Sequence, residues 1–214
     1  PFRFEIRNWL RGGRTVAQRL EEFGPVVRTR LIPRFDSVGV PYPPDKLVLV
    51  GIKEEKCLDV WGASDGQKPR FLYRYAVTAA SGKTGPKLRE GDRQVPEGLY
   101  KIESLNPNSA YHLSLRVNYP NEFDRDKGRQ DGRNNLGGDI MIHGSNVSIG
   151  CLAMGNEAAE DLFVLAADTG LDNIAVILSP VDFRRKELSK AIEELPDWTP
   201  ELYDIIKAEL SLLI

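Results

Sequence analysis

A histidine and a cysteine lying close together in the sequence are the residues best suited to chemistry. His143 follows a short apolar stretch at 140–142 that predicts a strand, and Cys151 follows Gly150 at the end of a turn-rich loop. A cysteine attacks as a thiolate, and a free thiol has a pKa of about 8.5, so it needs a neighbouring base to react at neutral pH. We therefore assign Cys151 as the candidate nucleophile and His143 as the candidate general base of an acyl transfer.

Three further residues of the same segment shape the predicted site. Gly150 permits a tight backbone turn, and the N–H groups around Gly150 and Cys151 are candidates for stabilising an oxyanion. Gly144 shapes the backbone after the histidine. Ser148 either forms a hydrogen bond within the loop or orients the histidine.

Other interpretations of the cysteines and histidines stay open at this point. A single cysteine on an apolar segment is usually an inert buried residue, and a single histidine is usually satisfied in the core. A metal site built from His143, Cys151 and His112 matches no common zinc spacing, so we expect no metal and no cofactor. Cys57 is expected to face the interior of a strand, although a disulfide between the two cysteines is the alternative for a secreted protein.

The pattern His-Gly-x-x-x-Ser-x-Gly-Cys, over residues 143–151, resembles the signature of the L,D-transpeptidase catalytic domain, also called the YkuD domain. The continuation Gly-Cys-Leu-Ala-Met most resembles the YafK-like branch of that family. The similarity extends upstream to the segments 95–100, 111–112 and 118–121, and it covers roughly residues 45 to 180. One position departs from the family pattern, because Ala153 stands where most members carry an arginine.

The resemblance implies a mainly β catalytic domain of α+β class, a compact sandwich or barrel-like sheet with helices packed around it. We accordingly expect an N-terminal helical and irregular extension at 1–44, the catalytic domain at 45–181 and a C-terminal helical extension at 182–214. Residues 118–138 form a long polar segment that we interpret as a loop covering the substrate.

The resemblance also implies a reaction. The Cys151 thiolate would attack the carbonyl of a diaminopimelate residue in a peptidoglycan stem peptide, form a thioester and pass the acyl group to an amine acceptor. A YafK-like hydrolase that detaches a lipoprotein from peptidoglycan is the alternative, and a catalytically silent wall-binding module is the second alternative. The partners implied are stem peptides and a wall-attached lipoprotein or outer-membrane protein, with a periplasmic location.

Five residues outside the His143–Cys151 segment are candidates for binding the substrate. His112 and Tyr111 lie at the start of a predicted strand, and His112 is also the weaker candidate for direct proton transfer. Arg133 belongs to the polar segment, whose cations could bind a substrate carboxylate in place of the missing arginine. The remaining two candidates are Tyr119 and Asn121.

Composition narrows the function classes. The 214 residues carry a formal net charge of −2, which disfavours a nucleic-acid-binding protein. The apolar runs are shorter than the roughly 18 residues of a membrane span, so we expect membrane contact only through an N-terminal signal or anchor removed upstream of Pro1. The Gly-Lys-Thr at 82–84 resembles a phosphate-binding loop, but Val77 stands where that motif requires its first glycine.

The periodicity predicts the elements that must hold the site. Thr15 is expected to cap a short helix that ends at Gly24-Pro25, and the four prolines of 31–44 argue against a regular helix there. Strands are predicted at 47–52, 56–61, 70–78, 99–105, 111–117 and 173–178. Further helices are predicted from Asn156 as cap to Gly170, at 183–195, and from Pro200 with Thr199 as cap.

Overall fold

The computed structural model describes residues 13–188 and 195–213. Its framework is one eight-stranded sheet in the order β3-β2-β1-β8-β4-β5-β6-β7, flanked by helices, and the predicted α+β class is confirmed. The strands are β1 (Lys46–Ile52), β2 (Cys57–Ala63), β3 (Arg70–Ala76), β4 (Gly98–Ser109), β5 (His112–Val117), β6 (Met141–His143), β7 (Leu152–Ala153) and β8 (Ile174–Ser179).

The first three strands form the antiparallel hairpins that their apolar runs predict. Leu49 of β1 faces Val60 of β2, and Val60 in turn faces Tyr73 of β3. Cys57 lies buried and free on β2, so its predicted position inside a strand is confirmed. The strand β8 then pairs in parallel with β1, which places a late segment of the chain in the middle of the sheet.

The long strand β4 joins this half of the sheet to the half that carries the histidine and the cysteine. Its first residues, from Gly98 to Lys101, pair with β8, and the rest pairs with β5 after a register shift. The strand β5 pairs with β6, and β6 pairs in parallel with the short β7.

The N-terminal region differs from the prediction. Thr15 does cap a helix, with a capping box to Gln18, but this helix, α1 (Val16–Asp36), continues through Pro25 and Pro33. The predicted end at Gly24-Pro25 and the predicted irregular start at residue 31 are therefore wrong. Packing against a second helix compensates for the backbone hydrogen bonds that the two prolines remove.

That second helix is α3 (Asn156–Thr169), which follows the cysteine segment. Arg28 of α1 forms a bidentate ion pair with Asp168 of α3, and Arg30 binds the buried Asp161. Two charge-assisted contacts and the buried residues of the α1 face hold the helix in place despite the lost backbone hydrogen bonds.

The polar segment 118–138 also differs from the prediction of a continuous loop. It contains a short helix, α2 (Glu122–Gln130), which Asn121 caps through a reciprocal hydrogen-bond pair with Asp124. Acidic residues occupy its first turn and basic residues its last turn, as the helix dipole favours.

The later elements follow the prediction with small corrections. The cap of α3 is Gly155 rather than Asn156, and β8 begins at Ile174 rather than at residue 173. The final helix, α4 (Thr199–Ser211), begins at Thr199, so this residue is not the cap. Its apolar stripe, including Leu202, Ile206 and Leu210, packs against the sheet beside Val50 and Ile177. Residues 183–185 form a turn and 186–188 have no regular structure, in place of the predicted helix, and 189–194 lie outside the described residues.

Candidate active site

The sheet register brings His143 and Cys151 to neighbouring positions. Ile142 pairs with Leu152 and His143 with Ala153, so Cys151 stands beside Met141, two positions out of register with the histidine. The Sγ atom of Cys151 accepts from the Met141 N–H, so the thiol lies at the edge of β6, the strand that ends at His143.

A backbone carbonyl fixes the tautomer of the His143 imidazole. Nδ1 lies 2.6 Å from the carbonyl oxygen of Gly144, and this oxygen can only accept, so Nδ1 carries the hydrogen. A neutral imidazole then presents its lone pair at Nε2. Burial lowers the pKa of His143, although the Gly144 carbonyl opposes this effect, and the ring is therefore neutral and basic at neutral pH.

The thiol of Cys151 rests against the start of β6. The Met141 N–H donates to Sγ at 3.4 Å, and the thiol donates to the Asp139 carbonyl at 3.6 Å. Burial raises the pKa of Cys151, while the Met141 N–H and the more distant Lys87 cation lower it and Asp139 raises it. Within the described part of the chain, these two groups and not the imidazole are the hydrogen-bond partners of the thiol.

The two serines near the cysteine hold its backbone. Ser148 Oγ accepts from the Cys151 N–H at 3.0 Å and donates to the Cys151 carbonyl at 2.6 Å, which is the loop role considered for this residue. Ser81 Oγ accepts from the Gly150 N–H at 2.7 Å. Both N–H groups considered for the oxyanion are therefore occupied by hydroxyl oxygens.

The two glycines of the segment are required for different reasons. Gly150 has φ +86°, a left-handed conformation that disfavours other residues. At Gly144 a Cβ atom would lie 2.7 Å from the Tyr111 carbonyl oxygen and 2.8 Å from Asn156 Oδ1. The latter oxygen accepts from the Ser145 N–H, so the first residue of α3 fixes the loop that follows the histidine.

The structure separates the five candidate substrate-binding residues. Tyr111 stacks on His143 with ring centroids 4.8 Å apart, whereas Nε2 of His112 lies 2.8 Å from Glu160. The Tyr119 hydroxyl is buried and donates to backbone carbonyls, and Asn121 caps α2. Arg133 binds Asp131 and the Leu88 carbonyl. The contacts of Tyr119, Asn121 and Arg133 are thus structural, and Tyr111 is the one of the five that contacts the candidate base His143.

Several residues that bind or influence the candidate site were not predicted from the sequence. Ser81 and Lys87 lie in the connection between β3 and β4, around the Gly-Lys-Thr at 82–84. Asp139 and Met141 act through backbone atoms, which no side-chain pattern reveals. Glu160 could have been found from α3, because it lies one helical turn after Asn156.

Ala153 shows how the departure from the family pattern is accommodated. The residue is fully buried, and its carbonyl accepts from the Thr78 N–H at 2.8 Å while its N–H donates to Ala79. The position is therefore part of the sheet, where the short side chain fits. The Lys87 cation that influences Cys151 is paired with Asp92 at 2.6 Å.

Residues 13–188 and 195–213 contain no group of three His, Cys, Asp or Glu side chains arranged to hold a metal ion. No helix within those ranges is long and apolar enough to cross a membrane.

Comparison with known proteins places the chain in a family. Residues 45–177 match the model of the YkuD domain, the L,D-transpeptidase catalytic domain. A protein of Escherichia coli K12 named "Putative L,D-transpeptidase YafK" is 38% identical over 113 residues, which are 52% of this chain and 43% of that protein. The chain thus matches less than half the length of this curated relative.

Solved structures share the fold. The helical cell shape determining protein Pgp2 of Campylobacter jejuni superposes with a TM-score of 0.52 at 20% identity, covering 78% of this chain and 69% of that chain. Its K307A mutant gives the same TM-score at 23% identity, covering 78% and 53%. These likenesses concern the fold alone. Because the family model spans well over half of the sequence, this chain belongs to the L,D-transpeptidase catalytic domain (YkuD) family.

Proposed function

We propose that this chain is a peptidoglycan-acting L,D-transpeptidase that forms a thioester through Cys151. The donor is a stem peptide containing diaminopimelate, and the acceptor is an amine. The observation that carries the proposal is the arrangement of His143, whose Nδ1 is committed to the Gly144 carbonyl and whose Nε2 is left basic, on the strand whose edge the Cys151 thiol contacts at Met141. Because the substrate is wall material, we propose a periplasmic site of action.

The proposed reaction begins with rotation of the thiol away from the Asp139 carbonyl and towards His143. Hydrogen bonds of catalytic pairs are often long before substrate binds and shorten in the reacting complex. The Sγ proton passes to Nε2 while Sγ forms a bond to the substrate carbonyl carbon. Collapse of the tetrahedral intermediate breaks the carbon–nitrogen bond, and the proton on Nε2 moves to the leaving amine. The acceptor amine then attacks the thioester by the same steps in reverse.

The oxyanion of this intermediate would take the N–H groups of Gly150 and Cys151 from the serine hydroxyls. Hydrogen bonds to a charged acceptor are roughly twice as strong as those between neutral groups, which favours the exchange only when charge develops. The neutral carbonyl of the bound substrate gains less from the same donors.

Hydrolysis is the second candidate function. Ala153 places no cation beside the nucleophile, and Lys87 is already paired with Asp92, so a fixed partner for an acceptor carboxylate is not provided by either residue. Water would then replace the amine, and the product would be a stem peptide released from an attached lipoprotein.

Intact-protein mass spectrometry after exposure to a carbapenem tests the nucleophile, because these drugs acylate the family's cysteine. The chain offers a matched control, since it has two cysteines and Cys57 is buried. We expect a single adduct on the parent protein and on Cys57→Ala, and none on Cys151→Ala. An adduct on Cys151→Ala would refute the assignment of the nucleophile.

Defined muropeptides separate the remaining possibilities. New cross-links with a labelled amine acceptor indicate transfer, whereas incorporation of ¹⁸O from labelled water into the released stem indicates hydrolysis. Binding of muropeptides without any turnover, and unchanged by Cys151→Ser, would instead identify a wall-binding module.

A further inference from the structure

The tip of the β4–β5 hairpin lies against the catalytic histidine. Tyr111 forms this tip, and its ring stacks on the His143 imidazole with an angle of 29° between the planes. The Tyr111 side chain is 46% exposed, so the opposite face of the ring is open to solvent or substrate. The contact covers one face of the ring that we propose as the base.

Several contacts fix the hairpin tip. His112 has φ +76°, a conformation that is uncommon for residues other than glycine and asparagine. Its Nε2 donates to the Glu160 carboxylate on α3 at 2.8 Å, and its ring packs edge-on against Phe23 of α1 at 5.3 Å. The Tyr111 N–H donates to Ser109 Oγ, which closes the turn.

The same helix fixes both sides of the histidine. Asn156, the first residue of α3, accepts from the Ser145 N–H on the loop after His143, and Glu160 lies one turn later and holds His112. Gly144 packs closely against the tip, because a Cβ atom at this position would lie 3.0 Å from His112 Cβ. The tip and the catalytic loop are therefore held as one unit.

From this geometry we infer that Tyr111 is a positioning residue for His143, and that the His112–Glu160 contact is the latch that holds Tyr111 in place. The stacked ring limits rotation of the imidazole and shields it from water, so that Nε2 keeps one orientation and stays available as the base. Shielding is consistent with burial as the main cause of the lowered pKa of His143. The inference rests on the proposed function, since it takes His143 as the base.

Histidine titration by NMR tests this inference without any substrate. The chain has two histidines, His112 and His143, so a long-range ¹H–¹⁵N spectrum is assigned with the single variant His112→Asn. We expect Tyr111→Ala to raise the pKa of His143 by roughly half a pH unit or more, because water reaches the exposed face of the ring. Tyr111→Phe keeps the stacked ring and should retain the parental titration.

A second pair of variants tests the latch. Glu160→Ala should shift the His143 titration in the same direction as Tyr111→Ala, whereas Glu160→Gln keeps an accepting oxygen and should retain most of the parental value. The other titratable groups near the site, Lys87, Asp139 and Cys151, are the same in all these proteins. Parental titration in Glu160→Ala would refute the latch.

Carbapenem acylation of Cys151 separates positioning from substrate contact. For Tyr111→Ala we expect the limiting acylation rate to fall about tenfold, while the half-saturating drug concentration changes less than about twofold. The control is Phe71→Ala on β3, whose ring is 42% exposed and which should change neither quantity. A weaker half-saturation with an unchanged His143 pKa would make Tyr111 a substrate contact and refute the inference.

The outcomes remain interpretable if a variant folds poorly or if the proposed reaction is wrong. Tyr111→Leu keeps apolar volume without a planar ring and replaces Tyr111→Ala if thermal unfolding shows that the latter is unstable. Failure of the proposed function would appear as absence of the Cys151 adduct in the parent protein, whereas failure of this inference would appear in the His143 titration.

Discussion

Removal of the Ser148 hydroxyl is the most direct test of how the nucleophile is held. This hydroxyl accepts from the Cys151 N–H at 3.0 Å and donates to the Cys151 carbonyl at 2.6 Å, so Ser148→Ala removes two hydrogen bonds to one residue. Each such bond contributes about 1 kcal/mol net, and a backbone group left unpaired in a partly buried site costs somewhat more. We therefore expect Ser148→Ala to reduce the free energy that holds this loop in its ordered conformation by about 2–3 kcal/mol.

The consequence should appear in both the acylation rate and global stability. A loss of 1.4 kcal/mol corresponds to a factor of ten, so a loss of about 2–3 kcal/mol should slow carbapenem acylation of Cys151 by about 30- to 150-fold. The melting temperature should fall by about 4–12 °C, because about 2–4 °C accompany each kcal/mol in a domain of this size. Stopped-flow acylation and calorimetry measure the two quantities.

Two variants control this experiment. Ser211→Ala removes a hydroxyl that donates to the Ala208 carbonyl at 2.6 Å on α4, so it deletes a comparable bond away from the site and should leave acylation unchanged. Ser148→Thr retains a hydroxyl and should recover much of the rate. Acylation that is unchanged or faster in Ser148→Ala would refute the reasoning, because it would mean that the hydroxyl only blocks the Cys151 N–H.

Three further predictions follow from burial and charge. Because the pKa of His143 is lowered, the rate of carbapenem acylation should rise with pH through an inflection below pH 6.5, and His143→Gln should abolish this inflection. Because the pKa of Cys151 is raised, the rate of iodoacetamide alkylation should show its inflection above pH 9. A single inflection near pH 8.5 in both assays, unaffected by His143→Gln, would contradict both expectations. Burial raises the pKa of Asp124 from 3.8 to about 6. Ionising this side chain in the folded protein therefore lowers the free energy of unfolding by up to about 3 kcal/mol as pH rises between those values. Urea melts should show that Asp124→Asn gains stability relative to the parent between pH 4 and pH 7. Arg30→Met leaves the buried Asp161 without its ion-pair partner and should lower the free energy of unfolding by about 3 kcal/mol, against less than about 1 kcal/mol for Arg14→Met at an exposed pair; equal effects in urea would show that burial does not matter there.

Local patterns were sufficient where an element depends on its own residues. The β1–β2 hairpin followed from two apolar runs around a charged turn, and the helix start at Thr15 followed from its capping signal. The neighbouring positions of His143 and Cys151 followed from a strand and a loop that are close in the chain.

Patterns failed where distant contacts decide the structure. Proline at positions 25 and 33 predicts a break in α1, but ion pairs with residues more than a hundred positions away hold the helix together. The α2 helix was missed although Asn121 and Asp124 have the spacing of a capping box, because the high charge of 118–138 suggested a loop. Ser81 and Asp139 contact the site through the folded chain, and the sequence contains no local sign of either contact.

The opposite pKa shifts of Cys151 and His143 determine when the proposed nucleophile forms. Burial raises the pKa of the Cys151 thiol and lowers that of the His143 imidazole, so a resting thiolate–imidazolium pair is disfavoured and both groups stay neutral. Proton transfer must then accompany attack on a bound carbonyl, when the developing oxyanion can draw the Gly150 and Cys151 N–H groups away from Ser81 and Ser148. Interactions that strengthen only as charge develops favour the transition state over the bound substrate, so a site that is neutral at rest can still accelerate acyl transfer.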